Sequence, residues 1–296
     1  MGVTRLSLRV GGVGFVLTTA DPVLQLTVDE PTRRFLGPEG EDAYRLDVRV
    51  DKLAGERDGK AVFDCGDSWR LSRSDAGWIF DFFTPVNGER PYRRARLVGD
   101  TLSGEIVFDA GYLGRVSEVD ALHYPLAELL VIRRLAASGG VELHACGLVD
   151  EDGRGILLAG RSGDGKTTSA NLWSGERRIT ILSDDRIIVR SGEGAFRMFG
   201  TPWHGEAGFA VNAEAPVAAI FLLEHGSASV AVPVSAEAAV ASMIPRCFPP
   251  FYDRAGVERV LESLSVLALS VPCFRLPFMP DRTAVEAVRQ AIAGVR

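Results

Sequence analysis

The chain has 296 residues, 46% of them hydrophobic and 24% charged, which is the composition of an ordinary globular protein with one large or two modest domains. Its formal net charge of −6 argues against nucleic acid or an anionic membrane surface as the main partner. No apolar run reaches the roughly 20 residues that a membrane span needs. The four cysteines are scattered without a Cys-x-x-Cys spacing. Neither a disulfide framework nor a zinc site is predicted, and we expect a cytoplasmic protein.

Residues 1–120 are predicted to form a β-rich N-terminal domain. Short alternating or aromatic runs, from SLRVGGVGFVL to LSGEIVFDA, are separated by turn residues such as Asn87-Gly88. Because no strand–helix–strand rhythm is present, we expect an antiparallel sheet or sandwich. A small cluster of basic residues in this region is expected to lie on a solvated strand face. It consists of Arg90, Arg93, Arg94 and Arg96.

From residue 121 to 296 the pattern changes to that of an α/β domain. A segment with helical spacing, LAELLVIRRLAAS, is ended by Gly139-Gly140. Two apolar strands, VELHACGLV and GILLAG, are joined by a polar turn, and the strand ITILS follows a short helix. Further strands are predicted at RIIVR, AFRMFG, VAAIFLLEHG and VPCFRLPF, and helices over 235–245, 256–268 and 281–293. The run VAAIFLLEHG is apolar enough to be buried on both faces.

Residues 160–167, GRSGDGKT, fit the pattern G-x-x-x-x-G-K-[ST] of a nucleotide-binding P-loop, and we call them the phosphate loop. Its glycines let backbone N–H groups turn inward and form a nest for phosphate oxygens. Lys166 is expected to reach the outer phosphates and the Thr167 hydroxyl to ligate Mg²⁺, while the following helix adds its positive end. ATP and Mg²⁺ are therefore the predicted ligands. The residues expected to bind the nucleotide are Gly160, Arg161, Ser162, Gly163, Asp164, Gly165, Lys166, Thr167 and Thr168.

Two aspartates, Asp184 and Asp185, follow the strand ITILS only 18 residues after Lys166 (184 − 166 = 18). An apolar strand that ends in acidic residues places a carboxylate at the sheet edge beside the phosphate loop, where it can hold Mg²⁺. Two carboxylates can divide the work, because one can bind the metal while the other accepts the proton of an attacking hydroxyl. A metal site alone needs only one of them.

The run LHACGLVDEDGRGILLAGRSGDGKTT, followed by ITILSDD, resembles the core of the bacterial HPr kinase/phosphorylase. That family belongs to the P-loop fold group shared with ATP-dependent phosphoenolpyruvate carboxykinases. The match is strong over about residues 140–190 and weaker from 190 to 296. The resemblance implies a P-loop kinase core that phosphorylates a serine-type hydroxyl, with Asp184 as the base, Asp185 near the metal and His144 facing the phosphates. Because HPr kinases form rings, it also implies a homo-oligomer.

Three features differ from the family pattern. Thr168 stands where the family loop usually has a glutamate, no Arg- and Gly-rich segment follows the aspartate strand, and the N-terminal region does not look like the usual regulatory domain. The chain is therefore more similar to divergent HPr-kinase-like proteins, some of which sit beside peptide-modification genes and phosphorylate a peptide serine. The expected phosphoryl acceptor is a protein, a peptide or a small molecule.

A polar and aromatic segment, GTPWHGE, follows the strand AFRMFG, and loops at strand ends often carry function. His204 and Glu206 are candidate substrate contacts, with a turn held by tryptophan packing as the alternative. Arg161 and Arg246 are candidates for neutralising charge on a transferring phosphoryl group, with a structural or surface role as the alternative for each.

Two other functions fit parts of this pattern. A carboxykinase-type enzyme acting on a small carboxylic acid would need a larger set of metal-binding side chains, for which the chain is short. A nucleotide-binding regulator or assembly ATPase would bind ATP without a dedicated phosphoryl acceptor. The second aspartate argues against such a regulator, because a base for a bound hydroxyl would be idle. Rapid hydrolysis that needs no acceptor would favour it.

Overall fold

The structure, a computed structural model, describes residues 3–40, 42–55, 59–66, 68–114, 117–192 and 194–294. The chain divides into two compact units, Met1–Glu128 and Leu129–Arg296. Large sheets and several helices confirm the prediction of a mixed α/β protein. None of the helices in the described ranges combines the length and the apolar character needed to cross a membrane.

The elements of the first unit are β1 (Arg5–Val10), β2 (Val13–Thr18), β3 (Gln25–Leu26), α1 (Glu30–Arg33), β4 (Ala43–Asp51), β5 (Lys60–Asp64), β6 (Trp69–Ser74), β7 (Gly77–Phe82), a 3₁₀ turn (Pro85–Asn87), β8 (Arg93–Val98), β9 (Ser103–Asp109), α2 (Ala110–Leu113) and β10 (Glu118–Val119). Eight of the strands form one sheet with the order β1-β2-β4-β9-β8-β7-β6-β5. Successive side chains of a strand point to opposite faces of the sheet: in β1 the side chains of Leu6, Leu8 and Val10 are buried, and the residues between them are more exposed.

This sheet is mixed: most of its pairs are antiparallel, as expected, but the prediction of an antiparallel sheet or sandwich was wrong for β4. Strand β4 pairs in parallel with β2 on one side and with β9 on the other. A parallel pair needs a crossover connection of about a dozen residues or more, and the excursion through β3 and α1 supplies one between β2 and β4. Strands β5 to β9 then form an antiparallel meander whose last strand lies beside β4.

Only part of the arginine cluster lies on a solvated face. Arg90 is exposed and Arg96 is partly exposed, as expected, but Arg93 and Arg94 are buried, which corrects the expectation for these two. Arg93 is fully buried and donates hydrogen bonds to the carbonyl oxygens of Ala121, at 3.1 Å, and His123, at 2.9 Å. Arg94 is also buried, and its Nη2 donates to Asp81 Oδ2 at 3.1 Å. Buried guanidinium groups are tolerated because carbonyl and carboxylate oxygens satisfy them, so Arg93 and Arg94 belong to the core of this sheet.

The elements of the second unit are α3 (Leu126–Ala137), which begins before the division, β11 (Gly140–Val149), β12 (Gly155–Ala159), α4 (Lys166–Ser174), β13 (Thr180–Ser183), β14 (Arg186–Gly192), β15 (Ala195–Phe199), β16 (Glu214–His225), β17 (Val232–Pro233), α5 (Ala236–Met243), a 3₁₀ turn (Ile244–Arg246), α6 (Arg254–Ser270), β18 (Cys273–Phe278) and α7 (Arg282–Ala293). Two long strands, β11 and β16, connect the other strands. The first half of β11 pairs with β14, and its second half pairs with β12 and β13.

Strands β12, β16 and β18 run parallel to one another and separate two hydrophobic cores. In β16, Ile220 and Leu222 pack into the core that contains residues of α5 and α6, whereas Phe221 and Leu223 pack into the core that contains residues of α4 and α7. Successive side chains of a strand point to opposite faces, so a strand covered on both faces is apolar at every position. This burial confirms the prediction made for the run VAAIFLLEHG.

Candidate active site

The phosphate loop connects β12 to α4, so strand, loop and helix follow in the predicted order. Helix α4 begins at Lys166, and Gly165 caps it in the left-handed conformation, with φ of 95°. Gly163 also has a positive φ, of 87°. Side chains with a Cβ rarely adopt these angles, which explains two of the glycines in the motif.

Gly165 faces a further constraint, because a Cβ added there would lie 2.5 Å from Phe278 Cζ. We expect Gly165→Ala to lower the free energy of unfolding by about 1–3 kcal/mol, since it combines backbone strain with a steric clash. Chemical denaturation measures this loss. Gly163→Ala is the matched control, because it has a similar φ but no atom within 4 Å of the added Cβ. Equal losses in the two variants would contradict the role of Phe278.

Polar contacts inside the phosphate loop fix its shape. The Arg161 N–H donates to Asp164 Oδ2 at 2.6 Å, and Lys166 Nζ donates to the Arg161 carbonyl at 3.0 Å. Lys166 is only 6% exposed. Burial lowers the pKa of its ammonium group, and the Asp185 carboxylate opposes this effect. Thr167 is partly exposed at the start of α4, and Thr168 is exposed.

The middle of β11 joins the phosphate loop to the aspartate pair. The His144 carbonyl accepts a hydrogen bond from the Gly160 N–H at 3.1 Å, and the next residue, Ala145, donates its N–H to the Asp185 carbonyl at 3.1 Å. Two consecutive residues of one strand are therefore bonded to the start of the loop and to the second aspartate. The phosphate loop follows β12 and Asp185 follows β13, so both lie at the carboxyl ends of these two strands, beside the middle of β11.

The Asp185 carboxylate lies between two basic side chains. His144 Nε2 is 2.7 Å from its Oδ1, and Arg186 Nη1 forms a short ion pair with its Oδ2. Burial would raise the pKa of Asp185, but the His144 hydrogen bond and the charges of Arg186 and Lys166 outweigh burial and hold it below its ordinary value. Its side chain is a quarter exposed, at 25%. Asp185 is thus an ionised and accessible carboxylate.

Arg186 extends this group of charges. In the register of β11 and β14 it lies opposite His144, and its Nε is 3.5 Å from the buried Glu142 Oε1. Its guanidinium also lies over the Phe248 ring, 4.1 Å from the centroid. Glu142, Arg186 and Phe248 were not predicted as site residues. Two of them, Glu142 and Arg186, could have been found from the sequence, because each is a charged residue within an apolar strand. Charged residues are rarely buried without a partner.

The neighbouring Asp184 has a different environment. Its side chain is 1% exposed and accepts hydrogen bonds from three backbone N–H groups of the segment 200–209. The donors are Gly205 at 3.0 Å, Ala207 at 3.0 Å and Phe209 at 3.3 Å. Both carboxylate oxygens are occupied and shielded from solvent. This arrangement does not fit the predicted role of Asp184 as a base, and it makes the residue an anchor for the segment 200–209.

The segment 200–209 also contains the two candidate substrate contacts. His204 and Glu206 are exposed, and His204 Nδ1 donates to the Gly205 carbonyl at 2.8 Å. Within the described ranges, neither side chain bonds to the aspartate pair or to the phosphate loop. The structure therefore brings the backbone of this segment to Asp184, and substrate contact by the two side chains stays a prediction.

The chain is similar to one protein-family model and to solved structures. A family model described as SynChlorMet cassette protein ScmC matches residues 117–248. These residues include the phosphate loop, Asp185, Arg186 and Phe248. Among solved structures, the chain is similar to the Hpr(Ser) kinase/phosphatase from Coxiella burnetii, with 16% identity and a TM-score of 0.29 over 52% of this chain and 93% of that chain. That structural resemblance is distant. No curated protein matches the sequence.

Proposed function

We propose that the chain is an ATP-dependent kinase that transfers a γ-phosphoryl group to a serine-type hydroxyl of a protein, peptide or small molecule. The observation that carries this proposal is the hydrogen bonding of His144 and Ala145 to the phosphate loop on one side and to Asp185 on the other. This hydrogen bonding brings the phosphate loop and the accessible Asp185 carboxylate to the same side of β11, at the carboxyl ends of β12 and β13. In this proposal residues 121–296 form the P-loop catalytic domain of the HPr kinase type, and residues 1–120 form a separate domain.

In the proposed reaction the acceptor oxygen forms a bond to the γ-phosphorus. The bond from this phosphorus to the β–γ bridging oxygen breaks, and ADP leaves with the bonding electrons. The proton of the hydroxyl passes to Asp185. An aspartate suffices for this step, because phosphoryl transfer relies mainly on positioning and charge stabilisation. Lys166 supplies positive charge where the phosphates bind.

Mg²⁺, when bound, neutralises charge on the transferring phosphates. Because Asp185 accepts the proton in this reaction, the protein oxygen that fits Mg²⁺ is the Thr167 hydroxyl, at the start of α4. Mg²⁺ usually takes one or two protein oxygens and completes its shell with phosphates and water. The described part of the chain holds no group of three His, Cys, Asp or Glu side chains that could bind a metal alone, and such a site needs none.

The test is transfer of label from γ-labelled ATP with Mg²⁺ to a panel of acceptors: HPr, free serine and peptides encoded near the gene. Asp185→Asn should abolish transfer. Asp152→Asn should not, because this aspartate is 65% exposed and forms a surface ion pair with Arg154. Label in one acceptor, lost only in Asp185→Asn, supports the kinase and identifies its substrate class.

One observation favours a second candidate, a nucleotide-binding regulatory or assembly ATPase. Because Asp184 is buried and bonded to backbone N–H groups, the aspartate pair offers one accessible carboxylate rather than two. A single carboxylate suffices to hold Mg²⁺ on a nucleotide that is only bound or hydrolysed. ATP binding and hydrolysis that needs no acceptor, without transfer to any acceptor of the panel, would favour this function over the kinase.

The environment of Asp185 predicts a pH dependence. Since its pKa is held below the ordinary value of about 3.9, the carboxylate stays ionised above that pH, and wild-type kcat/KM should show no acid limb from Asp185 between about pH 5 and 8. His144→Ala removes the hydrogen bond that lowers this pKa. The pKa therefore rises, and the acid limb should move to higher pH. His225→Ala, which changes an exposed histidine, is the control. Identical profiles in all three proteins would contradict the role of His144.

A further inference from the structure

The phosphate loop contains a carboxylate of its own. Asp164 Oδ2 accepts the Arg161 N–H at 2.6 Å, and the Asp164 N–H donates to the Arg161 carbonyl at 3.1 Å. The Asp164 Cβ lies 3.0 Å from the position that a Cβ on Gly160 would take, so this side chain packs against the start of the loop. A negative charge at this position opposes the binding of phosphate, because like charges at short range repel one another.

Arg246 is the counter-ion of this carboxylate. Its Nη2 donates to Asp164 Oδ2 at 3.1 Å, and the residue is only 8% exposed. The Ser242 carbonyl, at 2.7 Å from Nη1, and the Leu223 carbonyl, at 3.4 Å from Nη2, hold the guanidinium in place. Its Nε has no hydrogen-bond partner in the part of the chain that the structure describes. Asp164 and Arg246 are separated by 82 residues, so the fold creates this pair.

The residues after Arg246 are fixed to the strand that carries His144. Cys247 forms an isolated β-bridge with Leu143, and the Phe248 N–H donates to the Glu142 carbonyl at 2.9 Å. The segment 246–248 is therefore held by β11 at one end and by the phosphate loop at the other. This attachment fixes the position of the Arg246 backbone.

We infer that Arg246 is a positioning residue for nucleotide phosphates, which acts through Asp164. It neutralises the carboxylate and holds it against the Arg161 N–H, so that the loop keeps its shape without repelling phosphate. This inference rests on the proposed function, because it requires that the phosphate loop binds a nucleotide. Without Arg246, the charge of Asp164 should weaken binding more strongly as the number of phosphates increases.

The experiment measures binding of ATP, ADP and AMP, each with Mg²⁺, to the full chain by titration calorimetry. Arg246→Met should weaken ATP binding about tenfold or more, ADP binding less and AMP binding least, since the partly exposed Asp164 carboxylate is left without its counter-ion beside the phosphates. The double variant Asp164→Asn with Arg246→Met should bind ATP within about threefold of wild type, because both charges are gone. Arg254→Met is the control, since the Arg254 side chain is 93% exposed and pairs with Glu258 at the surface.

Asp164→Asn alone gives a result that does not depend on the folding of Arg246→Met. The amide oxygen can still accept the Arg161 N–H, while Arg246 keeps its positive charge, so ATP should bind as tightly as in wild type or several-fold more tightly. Weaker ATP binding in Asp164→Asn would overturn the inference. Equal weakening of all three nucleotides by Arg246→Met, without recovery in the double variant, would do the same. If wild type bound none of the nucleotides, the proposed function itself would be contradicted, and the inference about Arg246 would be overturned together with it.

Discussion

Replacement of Lys166 by methionine should reduce phosphoryl transfer by about 10²–10³-fold. The expectation follows from its place at the first residue of α4, where its ammonium group folds back onto the Arg161 carbonyl of the phosphate loop. Methionine is of similar length and removes only the charge and its donors. Because burial already disfavours the charged form of Lys166, the variant should be as stable as wild type. Label transfer and thermal unfolding measure the two effects.

The control for this variant is Lys60→Met, because Lys60 is exposed on β5. Lys166→Arg should also lose activity, since a planar guanidinium cannot replace a compact ammonium in a buried position. The chain has only three lysines, at 52, 60 and 166, among 33 basic residues, so arginine is otherwise its usual cation. Full transfer by Lys166→Met would mean that the phosphate loop does not bind the reacting phosphates.

The parts of the site that could be predicted are those set by neighbours in sequence. Glycines at 163 and 165 take positive φ values that few other residues adopt, so the loop is encoded in eight consecutive letters. The short apolar runs before the loop and before the two aspartates indicate buried strands, and Asp185 is the second residue after the later of them, β13. Local conformational preference and burial determine all of these features.

The parts that could not be predicted depend on contacts between residues far apart in sequence. Asp184 is buried because backbone N–H groups more than 20 residues later close over it, and a local pattern does not encode that closure. Arg93 was expected on the surface because its acceptors, the carbonyls of Ala121 and His123, belong to a distant segment. The parallel pairing of β4 with β2 and β9 likewise depends on the paths of long connections.

Asp184 and Asp185 show how two identical neighbours acquire different roles. They form the two-residue connection between β13 and β14, where consecutive side chains point in different directions. One side chain therefore enters the space closed by the segment 200–209, and the other faces His144 and Arg186. When the two aspartates are treated as one motif, this difference between their environments is missed. The two positions are therefore expected to fail in different ways when the same substitution is made at each.

Asp184→Asn should lower the free energy of unfolding by about 2–4 kcal/mol. The carboxylate accepts three backbone N–H groups with its two oxygens, whereas an asparagine has one oxygen and would direct its own N–H₂ toward a donor. The segment 200–209 would lose its anchor. Asp185→Asn should change stability by about 1 kcal/mol or less, because its side chain is partly exposed, and should abolish transfer.

Chemical denaturation at neutral pH, with transfer assayed well below both unfolding midpoints, separates these outcomes. If Asp184 is an anchor, the Asp184→Asn variant should be less stable but should recover transfer on cooling or in a stabilising osmolyte, because excluded osmolytes favour the compact state. The Asp185→Asn variant should not recover transfer under these conditions, because it lacks the proton acceptor rather than stability. A variant at Asp184 that is as stable as wild type and yet inactive would restore the base role to that residue, and it would mean that the segment 200–209 opens during the reaction.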